Sequence, residues 1–270
     1  MKSLAVQIAR GMALPLLALV IWQTVCQLGW VNPQALPSPL AVALKWAEYL
    51  APPQARDPST QSWFAWLLSG ELLQDAAGSL TRVGLGFGLG LALALPLGLL
   101  MGALPLLRAF TNPLIQILRP IPPIAYIPLA ILWFGLGNPP AVFLIALGAF
   151  FPILMNTIAG VSQVDSIFLR AARNLGASPL RIFAQVILPA AMPYILSGVR
   201  IGIGTAFLVV IVAEMIAVNN GLGYRILEAR EYFWTDKIMA GMLSIGLIGL
   251  TIDLLMDRLN RYLLRWHRGL

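Results

Sequence analysis

Long apolar stretches separated by short polar segments run through the whole chain, and this pattern predicts an all-α membrane protein. Six stretches have about the 20-residue length at which an α-helix crosses the ~30 Å hydrocarbon core of a bilayer. We therefore expect one transmembrane domain over residues 1–270, with spans at about 12–30, 79–104, 112–136, 139–162, 190–218 and 238–262. No small-residue cleavage site follows the first stretch, so we expect an uncleaved span there rather than a signal peptide.

The segment between the first two predicted spans is polar, and its second half has a helical pattern. Residues 31–60 are polar and rich in proline. Residues 61–77 place two tryptophans on one helical side, with Glu71 and Asp75 four residues apart. This pattern is typical of an interfacial amphipathic helix, because tryptophan favours the headgroup level. A helix packed against the spans is the alternative.

Glycine and proline mark special positions in the second and third spans. The stretch GLGFGLG, residues 84–90, places glycine at two overlapping four-residue spacings. In lipid this pattern predicts the close approach of another helix. A phosphate-binding loop is not expected, since no Lys-Ser or Lys-Thr pair follows the glycines. Four prolines between positions 120 and 128 predict an interruption of the third span.

The composition supports the membrane assignment, and the charges decide its orientation. Only 11% of the residues are charged, whereas soluble domains carry roughly a quarter. If the N-terminus lies inside, the inner segments hold eleven Lys and Arg against three acids, and the outer segments hold six against seven. The positive-inside rule therefore places both termini in the cytoplasm. The net charge of +7 is attributed to this topology, and no nucleic-acid partner is expected.

A short polar segment, residues 165–188, interrupts the apolar pattern on the predicted cytoplasmic side. Asp165 suits the first turn of a short helix that runs to about residue 174, and Gly176 suits its left-handed stop. Ser178 and Pro179 then form an N-cap and first position of a second short helix. We expect a Leu-Pro pair to end that helix before the fifth span. The pattern predicts a compact, rigid elbow.

The elbow resembles the EAA loop of ABC importer permeases. The matching positions of the pattern A-A-x3-G-x9-(I/V)-x-L-P are Ala171, Ala172, Gly176, Val186, Leu188 and Pro189. Arg170 stands where the family usually has Glu. The stretches LRPIPPIAYIPLAILWFGLG, FLIALGAFFPILMNT and VAEMIAVNNGLGY resemble the branch that serves sulfonates, taurine, nitrate and related anions. The closing LLRWH resembles the aliphatic sulfonate members in particular.

The resemblance implies a type I ABC importer permease fold in the bacterial cytoplasmic (inner) membrane. The implied partners are a second copy of the chain, a cytoplasmic ABC ATPase dimer, a periplasmic or lipid-anchored substrate-binding protein, and membrane lipid. The implied ATPase-coupling residues are Arg170, Ala171, Ala172, Gly176, Ala177, Ser178, Leu188 and Pro189. No GxxxxGK[ST] loop occurs in the sequence. We therefore expect no catalytic residue, metal or cofactor in this chain, and ATP-Mg bound by the partner subunit.

Ionisable and polar residues within the spans are candidates for the translocation pathway, because they are costly in lipid and usually face a cavity or partner. The candidates are Gln116, Arg119, Tyr126, Asn156 and Glu214. Arg119 stands beside the four prolines between positions 120 and 128. Its guanidinium group could donate parallel hydrogen bonds to an oxyanion, or it could extend to the cytoplasmic membrane interface instead.

Glu214 is expected to form a structural pair with Arg119 or Arg82 rather than contact an anion. The outer segment 219–237 is either part of the docking surface for the binding protein or a plain solvated loop.

Two other classes of protein are alternatives to the importer permease. A gradient-driven secondary transporter would favour inverted repeats and several intramembrane carboxylates, but only Glu214 is available here. A membrane enzyme lacks support, since the only histidine, His267, lies in the basic tail and no catalytic motif occurs. Sulfonate or taurine is the first expectation for the substrate. Nitrate, nitrite, cyanate or bicarbonate comes next, and a thiamine or pyrimidine precursor after that.

Overall fold

The computed structural model describes residues 2–53 and 62–265, without the side chains of 2–10, 12, 64 and 65. The tail residues Trp266 and His267, and the stretch 54–61, lie outside the described residues. Helices account for all regular structure in the described part of the chain. They are α1 (Lys2–Gln27), α2 (Pro39–Leu50), α3 (Trp63–Leu67), α4 (Glu71–Ala103), α5 (Pro105–Leu118), α6 (Ile127–Phe134), α7 (Asn138–Ser162), α8 (Ser166–Asn174), α9 (Pro179–Ile182), α10 (Leu188–Ala217), α11 (Leu222–Glu231) and α12 (Thr235–Leu263).

Four of the described helices are long and apolar enough to cross a bilayer, which confirms the all-α membrane class. They are α4, α7, the continuous helical run Pro179–Ala217 and α12, with mean hydropathies of 2.0 to 2.2. Helices α5 and α6 together reach span length, but they are bent by 83°. Within α1, the stretch with described side chains, Ala13–Gln27, is apolar. The count of six spans stays a prediction.

The chain consists of two compact units, each built from two separate pieces of sequence. The first unit is Met1–Ala77 with Tyr224–Gly246, and the second is Gly78–Gly223 with Leu247–Leu270. In the second unit, α7 packs along α10 through glycines on both helices. A Cβ added at Gly198 would lie 2.7 Å from the Asn156 Cβ atom, and one at Gly160 would lie 2.7 Å from the Tyr194 Cβ atom. These glycines allow the two spans to approach closely.

The glycines of the GLGFGLG stretch divide into two pairs. A Cβ added at Gly86 would lie 2.6 Å from the Ile145 Cβ atom, and one at Gly90 would lie 2.7 Å from the Ala146 carbonyl oxygen. Gly84 and Gly88 face open space within the chain. The predicted close approach of another helix is therefore confirmed for one pair, and the neighbour is α7.

This division predicts opposite effects on stability for substitutions at Gly88 and Gly90, which are two positions apart. Gly90→Ala should destabilise the purified protein by about 1–3 kcal/mol, because its methyl group would overlap a backbone oxygen of α7. Gly88→Ala should be neutral or stabilising by up to about 1 kcal/mol, because alanine has the higher helix propensity. Thermal unfolding in detergent compares the two directly. Equal shifts for both variants would contradict the packing of α4 on α7.

The segment 61–77, for which we predicted one interfacial helix, is divided into two helices in its described residues, whereas its position at a membrane interface stays a prediction. Helix α3 is short, and α4 begins at Glu71 and continues into the second span. Gly70 lies at the break, where a Cβ would stand 2.2 Å from the Leu50 carbonyl oxygen. The backbone of α2 therefore occupies the space beside the break. Residues 71–77 of the predicted range form about the first two turns of α4.

Residues 31–60 contain a helix that the sequence analysis missed. Helix α2 begins at Pro39, and the Ser38 hydroxyl oxygen accepts a hydrogen bond from the Ala41 N–H at 3.2 Å. The signal was present, since Ser followed by Pro is the same helix start that we recognised at positions 178 and 179.

Two further boundaries differ from the predictions. The third predicted span begins earlier, at Pro105, and is broken into α5, a short 3₁₀ turn at Pro123–Tyr126 and α6. The Leu188–Pro189 pair does not end a helix. Instead a π-helical segment, Phe183–Ile187, joins α9 to α10 without interruption. Pro189 has no N–H to donate within this continuous run, and the π-helical hydrogen bond from the Leu188 N–H to the Phe183 carbonyl oxygen lies directly before it.

Candidate functional site

The elbow is built from local capping signals, as the sequence predicted. The Asp165 carboxylate accepts the Ile167 N–H at 2.8 Å and caps α8. Gly176 has φ +74°, and its N–H donates to the Arg173 carbonyl oxygen at 2.9 Å. The N–H of Ala177 donates to the carbonyl oxygen of Ala172 at 3.1 Å. These two bonds form a Schellman motif, which fixes the path of the chain out of α8.

A second cap directs the chain into α9. The Ser178 hydroxyl oxygen accepts the Arg181 N–H at 3.4 Å, and Pro179 is the first helical residue. A Cβ added at Gly176 would meet nothing within 4 Å. Glycine is therefore required there by the left-handed backbone and not by lack of space.

The elbow exposes large apolar side chains that the sequence analysis did not single out. Leu175 is 87% exposed and Leu180 is 78% exposed, and Ile167 and Phe168 are also exposed. Exposed apolar surface of this kind marks an interaction site. The signal was available, since these apolar residues stand within or beside the two short helices whose caps can be read from the sequence.

The implied coupling residues lie at different depths around the elbow. Arg170 and Ala171 are exposed, whereas Ala172 and Ala177 are half-buried. Gly176, Ser178 and Pro189 are exposed, and Leu188 is half-buried.

The elbow is tied to the helical core through the π-helical segment. Ile187 and Leu188 pack against a buried cluster formed by Val161 of α7 with Ala191 and Ile195 of α10. A displacement of the elbow would therefore act directly on the α7–α10 pair. Single-turn π segments within helices are frequent at functional sites.

A second candidate site lies in the second compact unit, which also contains the elbow, and it is built around a buried ion pair. The Arg82 Nη1 atom lies 2.6 Å from Oε1 of Glu214, and the two side chains are 4% and 0% exposed. The Ser79 hydroxyl donates to Glu214 Oε2 at 2.9 Å, and the Gly223 N–H donates to the same oxygen at 3.0 Å. Every oxygen of the carboxylate is therefore hydrogen-bonded, as a buried charge requires.

The guanidinium group of Arg82 is also shared among several elements. Its Nε donates to the Asn138 side-chain oxygen at 2.7 Å, at the start of α7. Its other nitrogens donate to the backbone and side-chain oxygens of Asn220. A Cβ at Gly221 would lie 2.6 Å from the Glu214 carboxylate. This Arg82–Glu214 cluster joins the beginnings of α4 and α7 to the end of α10 and the turn that follows it.

The candidate pathway residues are not brought together by polar contacts in the described part of the chain. Arg119 caps the end of α5 and is exposed, as is Gln116, and Tyr126 is half-buried. The Asn156 amide donates to the Pro152 carbonyl of its own helix at 2.8 Å. Of the two partners proposed for Glu214, the structure selects Arg82.

Segment 219–237 is not a plain loop, because α11 occupies Leu222–Glu231. In the first unit, Arg225 Nε lies 2.8 Å from Asp75 Oδ2, and its Nη1 lies 2.9 Å from Glu71 Oε1. The four-residue spacing of the two acids thus places both on one side of α4.

The Tyr49 hydroxyl donates to Asp75 at 2.8 Å. Burial, followed by the charge of Asp75, raises the pKa of Tyr49, so it stays a neutral donor.

A bundle of apolar helices with an exposed apolar elbow defines a membrane-embedded component that works with other proteins. A family model described as "binding-protein-dependent transport system inner membrane component" matches residues 94–269. The chain belongs to this family. It is a transport component and a multi-pass inner-membrane protein.

Similar proteins agree with this assignment. The chain is 37% identical to the taurine transport system permease protein TauC of Escherichia coli (strain K12) over 249 residues, which cover 92% of this chain and 86% of that protein. It is 37% identical to the putative aliphatic sulfonates transport permease protein SsuC of Bacillus subtilis (strain 168) over 260 residues, covering 96% and 88%. An inward-facing structure of the MetNI methionine ABC transporter has a similar fold, with a TM-score of 0.64 at 20% identity, covering 75% of this chain and 99% of that chain.

Proposed function

We propose that this chain is the permease subunit of an ATP-driven importer for a small anion, with taurine or another sulfonate as the first candidate. The elbow with its exposed apolar residues is the single structural observation that supports this proposal best. Leu175 ends the capped helix α8, and Leu180 stands in the capped first turn of the Pro179–Ala217 run, where both side chains are open to another subunit. The family places the chain in systems that depend on a binding protein.

The energy source in this proposal is a separate ABC ATPase dimer that binds ATP-Mg. Two copies of the permease would each offer one elbow to one ATPase subunit on the cytoplasmic side, where we place both termini. The sequence lacks a GxxxxGK[ST] loop of its own. A periplasmic or lipid-anchored binding protein would deliver the substrate to the outer side.

The mechanism we propose is alternating access. Closure of the ATPase subunits on ATP draws the two elbows together, and each elbow moves the α7–α10 pair through Ile187 and Leu188. The route then opens outwards, and hydrolysis resets it. The Arg82–Glu214 cluster would hold the outer ends of α4, α7 and α10 as one piece during this motion, because each contributes a polar group to it.

The substrate class follows from the chain's relatives and from one candidate residue. The named taurine and aliphatic sulfonate permeases are similar to this chain over nearly its whole length. Arg119, exposed at the break between α5 and α6, could offer a fork of donors to a sulfonate group. Nitrate, nitrite, cyanate and bicarbonate are the next candidates, since the same donors suit other small anions.

The test is to purify the tagged chain from membranes with its cognate ATPase and to measure ATP hydrolysis. Taurine, butanesulfonate and nitrate are each added with and without the cognate binding protein. We expect a stable complex whose hydrolysis is stimulated only when the binding protein and one of these anions are both present. An ATPase that fails to co-purify, together with uptake that follows an ion gradient, would contradict the proposal and favour a secondary transporter.

A further inference from the structure

A cavity of about 600 Å³ opens beside the elbow, between the α4–α5 corner, the end of α7 and α8. Two arginines from different elements line it, Arg108 of α5 and Arg173 of α8. Asn112 and Ser162 add polar groups to the same wall. No acidic side chain lines the cavity, and neither arginine forms an ion pair within residues 2–53 and 62–265. The cavity therefore carries an uncompensated positive charge.

The positive end of the α5 dipole adds to this charge, because Pro105, the first residue of α5, lines the cavity. The Ser162 hydroxyl donates to the Ile158 carbonyl at 2.8 Å, whereas the side-chain amide of Asn112 forms no hydrogen bond in the described residues and can donate to a ligand.

The remaining walls are apolar, and they narrow the class of ligand. Met101, Val161, Leu169 and Ile187 line the same cavity. A small inorganic ion would leave these side chains without a contact. A molecule with an oxyanion at one end and an apolar group at the other would satisfy both parts. Basic pockets between helices on the cytoplasmic side bind the headgroups of anionic lipids in this way.

We propose that this cavity is a binding site for an amphiphilic oxyanion, held by Arg108 and Arg173 as charge-assisted donors. The oxyanion is either the phosphate of an anionic phospholipid in the inner leaflet or the sulfonate of a soluble alkanesulfonate. A bound oxyanion would join α5 to α8, two helices that share no hydrogen bond or ion pair in the described part of the chain. The site is separate from Arg119 and from the exposed apolar residues of the elbow.

The experiment compares the purified chain with the double variant Arg108→Gln/Arg173→Gln. In one arm, native mass spectrometry counts the phosphatidylglycerol molecules retained after purification from membranes. In the other, the delipidated protein in neutral detergent is titrated with butanesulfonate, with sodium sulfate as the ligand that lacks an apolar group. We expect the double variant to lose about tenfold or more in affinity for one of the two amphiphiles, since each arginine contributes a charge-assisted hydrogen bond.

The matched control is Arg258→Gln, because Arg258 is an exposed arginine of α12 that does not line the cavity. Loss of retained phosphatidylglycerol alone identifies the lipid, and loss of butanesulfonate binding alone identifies the soluble anion. The thermal unfolding midpoint, measured without ligand, checks that the double variant is folded. If it is folded and binds both amphiphiles as the Arg258→Gln control does, or if sulfate binds as well as butanesulfonate, the proposal is overturned.

Discussion

Replacing Arg82 by methionine should lower the free energy of unfolding of the purified chain by about 3–5 kcal/mol, the usual cost of removing one partner from a buried ion pair. Glu214 is 0% exposed and would be left without the guanidinium group that lies 2.6 Å away. The side-chain oxygen of Asn138 would lose its donor as well. The measurement is the thermal unfolding of the variant and the unchanged protein in the same detergent.

A second substitution distinguishes loss of charge balance from loss of packing. Arg82→Met combined with Glu214→Gln should be less destabilising than the sum of the two single changes, because the double variant leaves no unpaired buried charge. Lys45→Met is the control, since the ion pair of Lys45 with Glu48 is 31% and 71% exposed. Exposed pairs contribute about 0–1 kcal/mol. If Arg82→Met unfolds at the same temperature as Lys45→Met, Arg82 and Glu214 are not a buried pair.

Features set by neighbouring residues were predictable from the sequence. The long apolar helices follow from the length and composition of their sequence. The elbow follows from residues that set the backbone within four positions of their own place in the chain: Asp165, Gly176, Ser178 and Pro179. Helix α2 begins with the same Ser-Pro pair. It was missed because the surrounding prolines suggested irregular structure, although only a proline inside a helix interrupts it.

Features that depend on distant residues were not predictable in the same way. Glu214 had two candidate partners, and the choice of Arg82 depends on how α4 packs against α10, 132 positions away in sequence. The cavity between Arg108 and Arg173 likewise exists only once α5 and α8 are placed side by side. The π-helical segment gives no local signal, since its residues form an ordinary helical sequence. It is the packing of Ile187 and Leu188 that reveals its role.

Replacing Gly176 by valine should reduce transport by about 5–30-fold while the chain still inserts into the membrane. Gly176 has φ +74°, and an L-residue in this left-handed conformation costs about 1–2 kcal/mol, more for a β-branched one. A cost of this size lowers the population of the native elbow by about 5–30-fold. Ala172→Glu should have a similar effect, because it places a carboxylate at a half-buried position of α8. Substrate uptake and ATP hydrolysis are measured in the same reconstituted vesicles.

Gly176→Asn is the matched control, because asparagine tolerates the left-handed conformation and the space around Gly176 is open. It should transport nearly as well as the unchanged protein, although it adds more side-chain atoms than alanine would. In the valine variant, ATP hydrolysis should continue although uptake is reduced, since the ATPase site lies on another subunit in our proposal. A valine variant that transports normally would show that the elbow does not transmit the ATPase motion. The exposed Leu175 and Leu180 would then need a different partner, and the α7–α10 pair a different source of movement.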